Sequence, residues 1–592
     1  MAYAAIRRMA FMLVTAATLL WAQDDVVMKA MQDEMTRSMG QLQFETMQKP
    51  YFISYRIDDT NAASVSATLG SLTATDPDHR RLLSVELRVG DYASDNSNYF
   101  SVRTFSGGMG MFKGISSVAL DNDYLQIRRQ IWQTTDAQYK KAIEDLSAKQ
   151  AALQGRQGAD DIPDFSKEPP ATLKEPAAEV KIDVPGLEQL ARELSLPFKQ
   201  TPDIVTSSVE INVRNTFVRY LNSEGSSFTR PVPQVKLSVT AETQAGDGLP
   251  MRDSIELYGQ SVADLPPKEQ LLASVREMGS RLEKLREAPA IEHYNGPVLF
   301  EDRAAAEIFA QAFAPGLVTS RTPISEDPRF EVFFNQLIAR MGGGDSLLSK
   351  IGGRVLPEVV DLVDNPRIAS YQGMKLAGSC EVDDDGVPSR ETKLVEKGML
   401  QTMLSGRVPV RSITHSTGSR RGLGPAPSNL ILTATKASTG DQLREELLRR
   451  VKLRGLHYGI VVRRVGGNGT NSLLRAAAMM GAAQSAPSNV LLEVYKIFPD
   501  GHQEPVRGMQ LEDVTAATFR DIVAIGDKPV VYNEQFMPRI GSFFSMGMGG
   551  ASADLPVVSY VVPSLLFEEI TLTKATGPFP NPPMSKAPLF DH

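Results

Sequence analysis

Cysteine, histidine and tryptophan are almost missing from this chain. One cysteine, Cys380, stands among 592 residues. It excludes an intrachain disulfide, and neither a cysteine-ligated zinc ribbon nor an iron–sulfur cluster can be held by this chain alone. Six histidines occur (His79, His293, His415, His457, His502 and His592), and no two share the short spacing of a metal-binding motif. An excess of basic charge is absent too. Lys and Arg total 63 against 70 Asp and Glu, for a net charge of −7 and a pI near 5.6. A nucleic-acid interface is therefore not expected as the main surface, because phosphate binding calls for a basic face. The chain has no P-loop and no G-x-S-x-G nucleophile turn. What remains is ordinary globular composition, 42% hydrophobic and 22% charged, with material for several cores.

Residues 1–22 read as a secretory signal. Arg7 and Arg8 precede the uncharged apolar stretch Met9–Trp21, which falls short of the ~20 residues of a spanning helix. Cleavage near Ala22 is expected, although Leu20 suits the small-residue preference poorly; an uncleaved N-terminal anchor is the alternative. The mature protein is expected to be exported, periplasmic or extracellular, with no membrane span after cleavage.

The fold class predicted is α+β: an N-terminal sheet-and-helix domain over 23–290 and a strand-rich C-terminal domain over 291–592. Val27, Met31, Met35, Met39 and Leu42 recur at helical spacing within Asp24–Met47. Tyr51–Asp58 and Leu82–Val89 alternate as half-buried strands. Asp136–Leu153 is a polar helix running into a Pro-, Gly- and charge-rich stretch at 154–176, expected as an exposed linker-like insertion. A short helix (Pro185–Leu194), a strand pair (Val209–Asn222 and Ser226–Val239) turning at Gly225, and an amphipathic helix (Pro267–Arg286) complete this half. Beyond residue 290 come short strands at Pro297–Phe300, Glu391–Val395, Leu400–Ser405, Leu430–Thr435, Gly459–Val465 and Val490–Phe498. One strong helix, Gly440–Lys452, interrupts them.

At 294–319 the chain reads YNGPVLFEDRAAAEIFAQAFAPGLVT. The acids Glu301 and Asp302 open a helix at its positive dipole end, Ala305, Ile308, Phe309, Ala312 and Phe313 form one apolar face, and Pro315 should end it after Ala314. This helix, GGRVLPEVVDLVDNP (352–366), the hairpin EVDDDGVPSRETKLVEKGML (381–400) and the loop HSTGSRRGLGPAPSNLIL (415–432) follow in order. The strands LLEVYKIFPDGHQEPVRG (491–508) and PSLLFEEITLTK (563–574) come after them. Together they resemble the TldD/PmbA family of metalloprotease-like proteins, over about 290–574. The loop is similar to that of the PmbA, or TldE-like, branch.

In the TldD branch that helix carries H-E-x-x-x-H, two zinc-binding histidines and a general-base glutamate. The matching positions here are Ala310, Gln311 and Pro315, and none can ligate metal or take a proton. The resemblance implies a subunit with no catalytic residue, metal or cofactor of its own. It would pair with a zinc-bearing TldD-like paralogue and help enclose a peptide substrate. The alternative is a stand-alone peptide- or protein-binding envelope protein without catalytic activity; an enzyme acting through other residues is a third. Arg420 and Arg421, with Asn429, are the candidate peptide-binding residues, since arginine offers a planar fork to a carboxylate; an exposed turn with solvated arginines is the plainer reading. The acids Glu381–Asp385 lack the spacing of a calcium loop and are expected on a solvated hairpin approach. Cys380 is expected as a small buried hydrophobe. The Met/Gly runs Gly107–Met111 and Ser545–Gly550 are either plain loops or the lining of a peptide channel.

Overall fold

The structure is a computed structural model. It describes residues 25–101, 114–154, 156, 161–177, 181–319, 321–332, 336, 347–422, 424–466, 491–536, 555–576, 579 and 583. The signal segment and both Met/Gly runs lie outside the described residues.

Helix α1 (Val26–Gln41) begins where the Asp25 carboxylate accepts the Val27 and Met28 N–H groups. It is followed by the hairpin β1 (Pro50–Thr68) and β2 (Ser71–Val89). Both strands are far longer than the alternation at 51–58 and 82–89 predicts. Their outer halves are built from Ala, Ser, Thr and Asp, so no apolar period betrays them, yet β1 is paired on both edges over much of its length. Strand β3 (Ile115–Ser117) and helix α2 (Tyr124–Gln154) come next, then β4 (Thr172–Lys174), α3 (Val184–Ser195), β5 (Thr206–Asn222), β6 (Ser227–Gln244), β7 (Pro250–Gly259) and α4 (Lys268–Glu287). The sheet order is β3-β2-β1-β5-β6-β4, with β7 also on β6. Strand β7 was not legible in the sequence.

One face of this sheet is apolar and covered by helices. Val27, Met31, Ile127 and Ile131 pack on Ile53, Tyr55 and Ile57 at one end. Leu187, Leu194, Val275 and Met278 pack on Val65, Ile211 and Leu237 at the other. The second face is largely polar, with one apolar cluster where Val218, Tyr220 and Phe228 pack with Val382.

The C-terminal half is organised by one long central strand. In order come β8 (His293–Phe300), α5 (Arg303–Ile308), β9 (Val360–Asp364), β10 (Thr392–Glu396), β11 (Met399–Leu400), β12 (Asn429–Ala434) and α6 (Gly440–Leu453). After them come β13 (Gly459–Val465), β14 (Leu491–Ile497), β15 (Gln503–Val506), β16 (Met509–Glu512), β17 (Ile522–Gln535) and β18 (Val557–Lys574). The eleven-stranded sheet has the order β11-β10-β9-β12-β18-β8-β13-β14-β15, with β16 and β17 also on β18. Strand β18 is buried almost throughout. The expected strand at 400–405 contracts to two residues, because Leu404 instead exchanges backbone hydrogen bonds with Leu317 and Thr319. Among the described residues no helix is long and apolar enough to cross a membrane.

The stretch at 154–176 is not simply an exposed linker. Phe165 is buried, with the Arg88 and Arg407 guanidiniums 3.7 and 3.9 Å from its ring centroid. Asp164 is buried against the Lys149 ammonium, and Thr172–Lys174 joins the first sheet in parallel with β6. Charge made the segment look solvated; instead Arg156 pairs with Glu331, Asp164 with Lys149, and Glu168 accepts the Ser416 N–H. Arg407 belongs to the C-terminal half, yet it donates to the Ser166 carbonyl and to both Glu224 carboxylate oxygens, at 2.5 and 2.9 Å. Removing one member of such a buried pair strands the other. Arg407→Leu is expected to lower stability by about 3–5 kcal/mol, read as a fall in the chemical-denaturation midpoint. A variant within 1 kcal/mol of the parent would show that this contact does not hold the halves together.

Candidate functional site

The helix that carries Ala310 and Gln311 grows directly out of the C-terminal core. Strand β8 ends at the fully buried Phe300, and Asp302 turns the chain with φ 45° while its N–H donates to the Ser564 hydroxyl at 2.9 Å. The two acids do not cap the helix as their position predicts. Glu301 is drawn instead to Arg444 and Arg463, at 2.9 and 3.1 Å, and the Asp302 side chain makes no cap hydrogen bond. Ala304, Ala305 and Ala306 are fully buried, and their small side chains let the helix approach the sheet closely. After Ile308 the helix widens into a π-turn over Phe309–Phe313 and then tightens into a 3₁₀ turn over Ala314–Leu317. Pro315 therefore lies inside the last turn and does not end the element before it. The π-turn directs Phe309 and Phe313 onto Phe519, which packs on Phe567 of β18.

Ala310 and Gln311 lie in the π-turn. Ala310 is buried, and the Gln311 amide donates to the Gly466 carbonyl at 2.7 Å. A methyl, an amide acting as donor and a pyrrolidine ring do not fit zinc. Among the described residues no three His, Cys, Asp or Glu side chains converge to hold a metal ion. One turn earlier the helix carries a buried ion pair. Arg303 Nε donates to Glu307 Oε1 at 2.6 Å, and Glu307 Oε2 accepts the Val465 N–H at 2.6 Å. Arg464 Nε lies 3.6 Å from Glu307, and its Nη2 donates to the Ser254 carbonyl of β7 at 2.6 Å. Beside it, Asp253 accepts two hydrogen bonds from Arg281 of α4. Burial opposes the Arg303 charge, but Glu307 more than offsets it, so the guanidinium pKa lies above its ordinary value. This network joins the helix to the N-terminal half. Its one sequence signal was the i,i+4 spacing of Arg303 and Glu307 on an otherwise apolar helix.

The loop at 415–432 holds the candidate peptide-binding residues, and all three are engaged internally. Arg420 donates to the Gly422 carbonyl, and its Nη1 lies 3.4 Å from Asp385. Arg421 donates to the Gly378 carbonyl and the Ser428 hydroxyl, at 2.8 and 2.6 Å. Asn429, fully buried, donates to the Asn365 and Ile368 carbonyls and accepts from Gly378 N–H. These are neither solvated turn arginines nor an open fork; they staple the loop to β9 and to the 381–388 turn. Two glycines permit the close approach. A Cβ on Gly378 would sit 1.8 Å from the Ser428 carbonyl oxygen. Gly418, at φ 72°, would meet the Pro388 oxygen at 2.4 Å.

Glu381 is exposed as expected, but Asp383 and Asp385 of that turn are buried, contrary to expectation. Asp383 accepts N–H bonds from Asp385, Val387 and Arg420. Burial, together with the neighbouring Asp385 carboxylate, pushes its carboxyl up. Asp384 lies against Arg56 and Arg230 of the N-terminal sheet. Their charges overcome its burial and hold it below the usual carboxylate range. Cys380 is half-buried beside polar groups, with Arg230 Nη1 at 3.2 Å and the Val382 carbonyl at 2.8 Å, rather than packed as an apolar side chain.

Residues 293–574 match the profile described as the PmbA/TldA metallopeptidase C-terminal domain. A metalloprotease of Methanothermobacter thermautotrophicus is 34% identical over 125 residues, 20% of this chain and 26% of that protein. A metalloprotease of Methanocaldococcus jannaschii is 30% identical over 129 residues, 20% of this chain and 28% of that protein. The chain thus spans about a quarter of the length of these curated relatives. TldE from Thermococcus kodakarensis superposes with a TM-score of 0.52 at 14% identity, covering 92% of this chain and 100% of that one. A proposed modulator of DNA gyrase from Bacteroides thetaiotaomicron gives 0.55 at 12% identity, covering 92% and 98%. At such identities these structures establish the fold: mixed α and β with a strand-rich C-terminal half.

Asp364, at the end of β9, offers a test of the loop's anchoring. It is buried and accepts the Ser428 N–H at 2.8 Å. Burial raises its carboxyl to about 6, against the opposing pull of that N–H and of Arg421. The folded chain therefore holds this proton more tightly than the unfolded chain does. The stability it contributes is complete below pH ~4 and is lost as pH rises through about 6. In Asp364→Asn the denaturation midpoint is expected to fall less steeply between those values. A slope identical to the parent's would refute the assignment.

Proposed function

Because this chain belongs to the TldD/PmbA family and is metallopeptidase-like, we propose that it serves as the non-zinc, TldE-like subunit of an exported proteolytic complex. In that role it pairs with a zinc-bearing TldD-like paralogue and helps to enclose a peptide substrate. The observation that carries the proposal is the chemistry at three positions of one helix. Ala310, Gln311 and Pro315 replace two imidazoles and a carboxylate, and the buried carboxylate earlier on the same helix, Glu307, is already held by Arg303 and the Val465 N–H. Export is supported by Arg7, Arg8 and the apolar stretch behind them. A catalytic zinc site requires three protein ligands and an open water position, and this helix offers none of the three.

The chain's own contribution is then shape and position. The N-terminal sheet turns a polar face toward the C-terminal half, where Arg56 and Arg230 meet Asp384 and Ser254 meets Arg464. Substrate enclosed there would lie against fixed side chains.

Elemental analysis and turnover test the proposal together. The purified chain is expected to contain no stoichiometric zinc and to cleave no peptide. The same preparation from native extract should carry an H-E-x-x-x-H partner and EDTA-sensitive peptidase activity. The triple variant Ala310→His, Gln311→Glu and Pro315→His is expected to stay below 1% of the partner complex's rate, since a third ligand and the groups that orient the imidazoles are still lacking. One tightly bound zinc per chain with peptide cleavage by this protein alone would overturn the proposal. Peptide affinity with no partner and no activity in native extract would favour a stand-alone binding protein.

A further inference from the structure

Helices α1 and α2 each bury one side against the first sheet, and the outer side of that layer carries a line of apolar residues. Leu125 and Trp132 are seven residues apart on α2, so they stand on the same side of the helix, about two turns from each other. Both are exposed, Leu125 by 73% and Trp132 by 44%. The helix has its buried side elsewhere, supplied by Ile127, Ile131 and Ala142. Seven residues beyond Trp132 stands Tyr139, and there the loop after α1 crosses the helix. The Phe44 N–H donates to the Tyr139 hydroxyl at 3.1 Å, and that hydroxyl donates to the Gln48 carbonyl at 2.8 Å. Phe44 and Met47 of this loop are exposed, and so is Leu120 just ahead of α2. Single exposed apolar side chains are ordinary, whereas such a line marks a docking surface.

The chain itself indicates what covers this surface. The apolar stretch Met9–Trp21 ends four positions before Asp25, a reach of about 14 Å at most. Asp25 is fixed to the body of the domain, since its carboxylate caps α1 and accepts from Arg219 Nε at 2.7 Å. From there α1 runs beside the start of α2. The Tyr124 hydroxyl donates to Asp33 at 2.5 Å, and Arg128 donates to Glu34 at 3.2 Å. Asp33 stands only about 12 Å along the helix from Asp25, so Leu120 and Leu125 lie at the end of the domain from which the apolar stretch leaves. A lone short anchor holds a protein to a bilayer weakly, and stable attachment takes a second contact. Leucine and phenylalanine beside a tryptophan are side chains that settle at the bilayer–water boundary. The charges around the line have both signs: Arg129 stands between Leu125 and Trp132, Asp136 pairs with Lys140, and Asp121 and Asp123 follow Leu120. The attraction is therefore apolar rather than electrostatic.

We propose that the stretch Met9–Trp21 stays attached after export, and that Leu120, Leu125, Trp132, Phe44 and Met47 rest on the surface of the lipid bilayer that holds it. Leu20, which suits signal cleavage poorly, favours retention. Docking there leaves the other face of the first sheet, where Arg56 and Arg230 meet Asp384, turned away from lipid. Membrane docking does not depend on whether a peptide is enclosed.

Trp21 and Trp132 are the two tryptophans of the chain, so the full chain carrying Trp21→Phe reports on the docking surface through Trp132 alone. With phosphatidylcholine vesicles, Trp132 emission is expected to move to shorter wavelength and to lose at least half its intensity to lipids brominated on the acyl chains. Adding phosphatidylglycerol should change this little. Leu125→Glu should remove the shift and Phe44→Glu should reduce it, with the protein still floating with the vesicles and its melting temperature unchanged. In native extract the chain is expected in the membrane fraction, with an N-terminus ahead of Trp21. Flotation with unshifted Trp132 emission overturns the docking surface. A water-soluble chain beginning near Gln23 overturns the anchor and the proposal with it. Three other occupants of the surface would overturn it as well. A second copy would show as a dimer in sedimentation that Leu125→Glu dissociates. A protein partner would be lost from native extract in Leu125→Glu. The chain's own apolar stretch would hold Trp132 emission at short wavelength without vesicles, at every protein concentration.

Discussion

The geometry between the two halves depends on a phenylalanine held between two buried guanidiniums. Phe165 lies with Arg88 on one side and Arg407 on the other. Arg88 is bonded within the first sheet to Glu86 and Asp95, whereas Arg407 reaches from the C-terminal half to Glu224 and the Ser166 carbonyl. Two like charges can share one ring because each has its own carboxylate, and the ring face attracts both. This joint sets how the polar face of the first sheet meets the second half. Other contacts cross the same boundary, among them Asp384 with Arg56 and the Arg464 guanidinium with the Ser254 carbonyl.

Charge pairing across this boundary is also what sequence reasoning handled least well. The residues 381–385 and 420–421 are rich in Asp and Arg, and isolated charges in a chain are sensibly read as solvated. Here the charges find each other over long sequence separations, Asp384 with Arg56 and Arg230, Arg407 with Glu224. Nothing local in the sequence marks which acid will meet which base. Apolar periodicity, by contrast, carried well. The α6 helix has the expected start because Thr439 and Gln442 form a reciprocal cap, and α3 and α4 lie within a residue or two of the expected spans. The π-turn at Phe309–Phe313 could not be read, since the same apolar spacing suits an ordinary α-helix. The long arms of β1 and β2 escaped for the opposite reason: their outer residues are too polar to show any period.

The resemblance in the C-terminal half was legible because it depends on short stretches with fixed backbone demands. Gly378 and Gly418 are required by close approach and by positive φ, and the Pro-Ser-Asn run at 427–429 supplies hydrogen bonds that tie β12 to β9. These are local needs, written locally. The role of the loop was not legible in the same way, since Arg421 and Asn429 have the residue types of a ligand clamp and the contacts of internal staples.

The surroundings of Ala310 and Gln311 oppose a metal ion by more than the absence of ligands. An H-E-x-x-x-H helix must present imidazoles and a carboxylate toward an open position. Here the same π-turn instead buries Ala310 and ties Gln311 to Gly466, while Glu307 is neutralised by Arg303 and approached by Arg464. A divalent cation brought to this neighbourhood would face two guanidiniums in a poorly screened interior, where like charges repel far more strongly than in water. The ligand count and the electrostatics therefore work in the same direction. Placing His, Glu and His at positions 310, 311 and 315 would change the first and leave the second intact, because Arg303 and Arg464 are held by contacts that extend through Ser254 and Asp253 into the first sheet. In this chain the helix has become part of the joint between the halves, and its charges are committed to that joint.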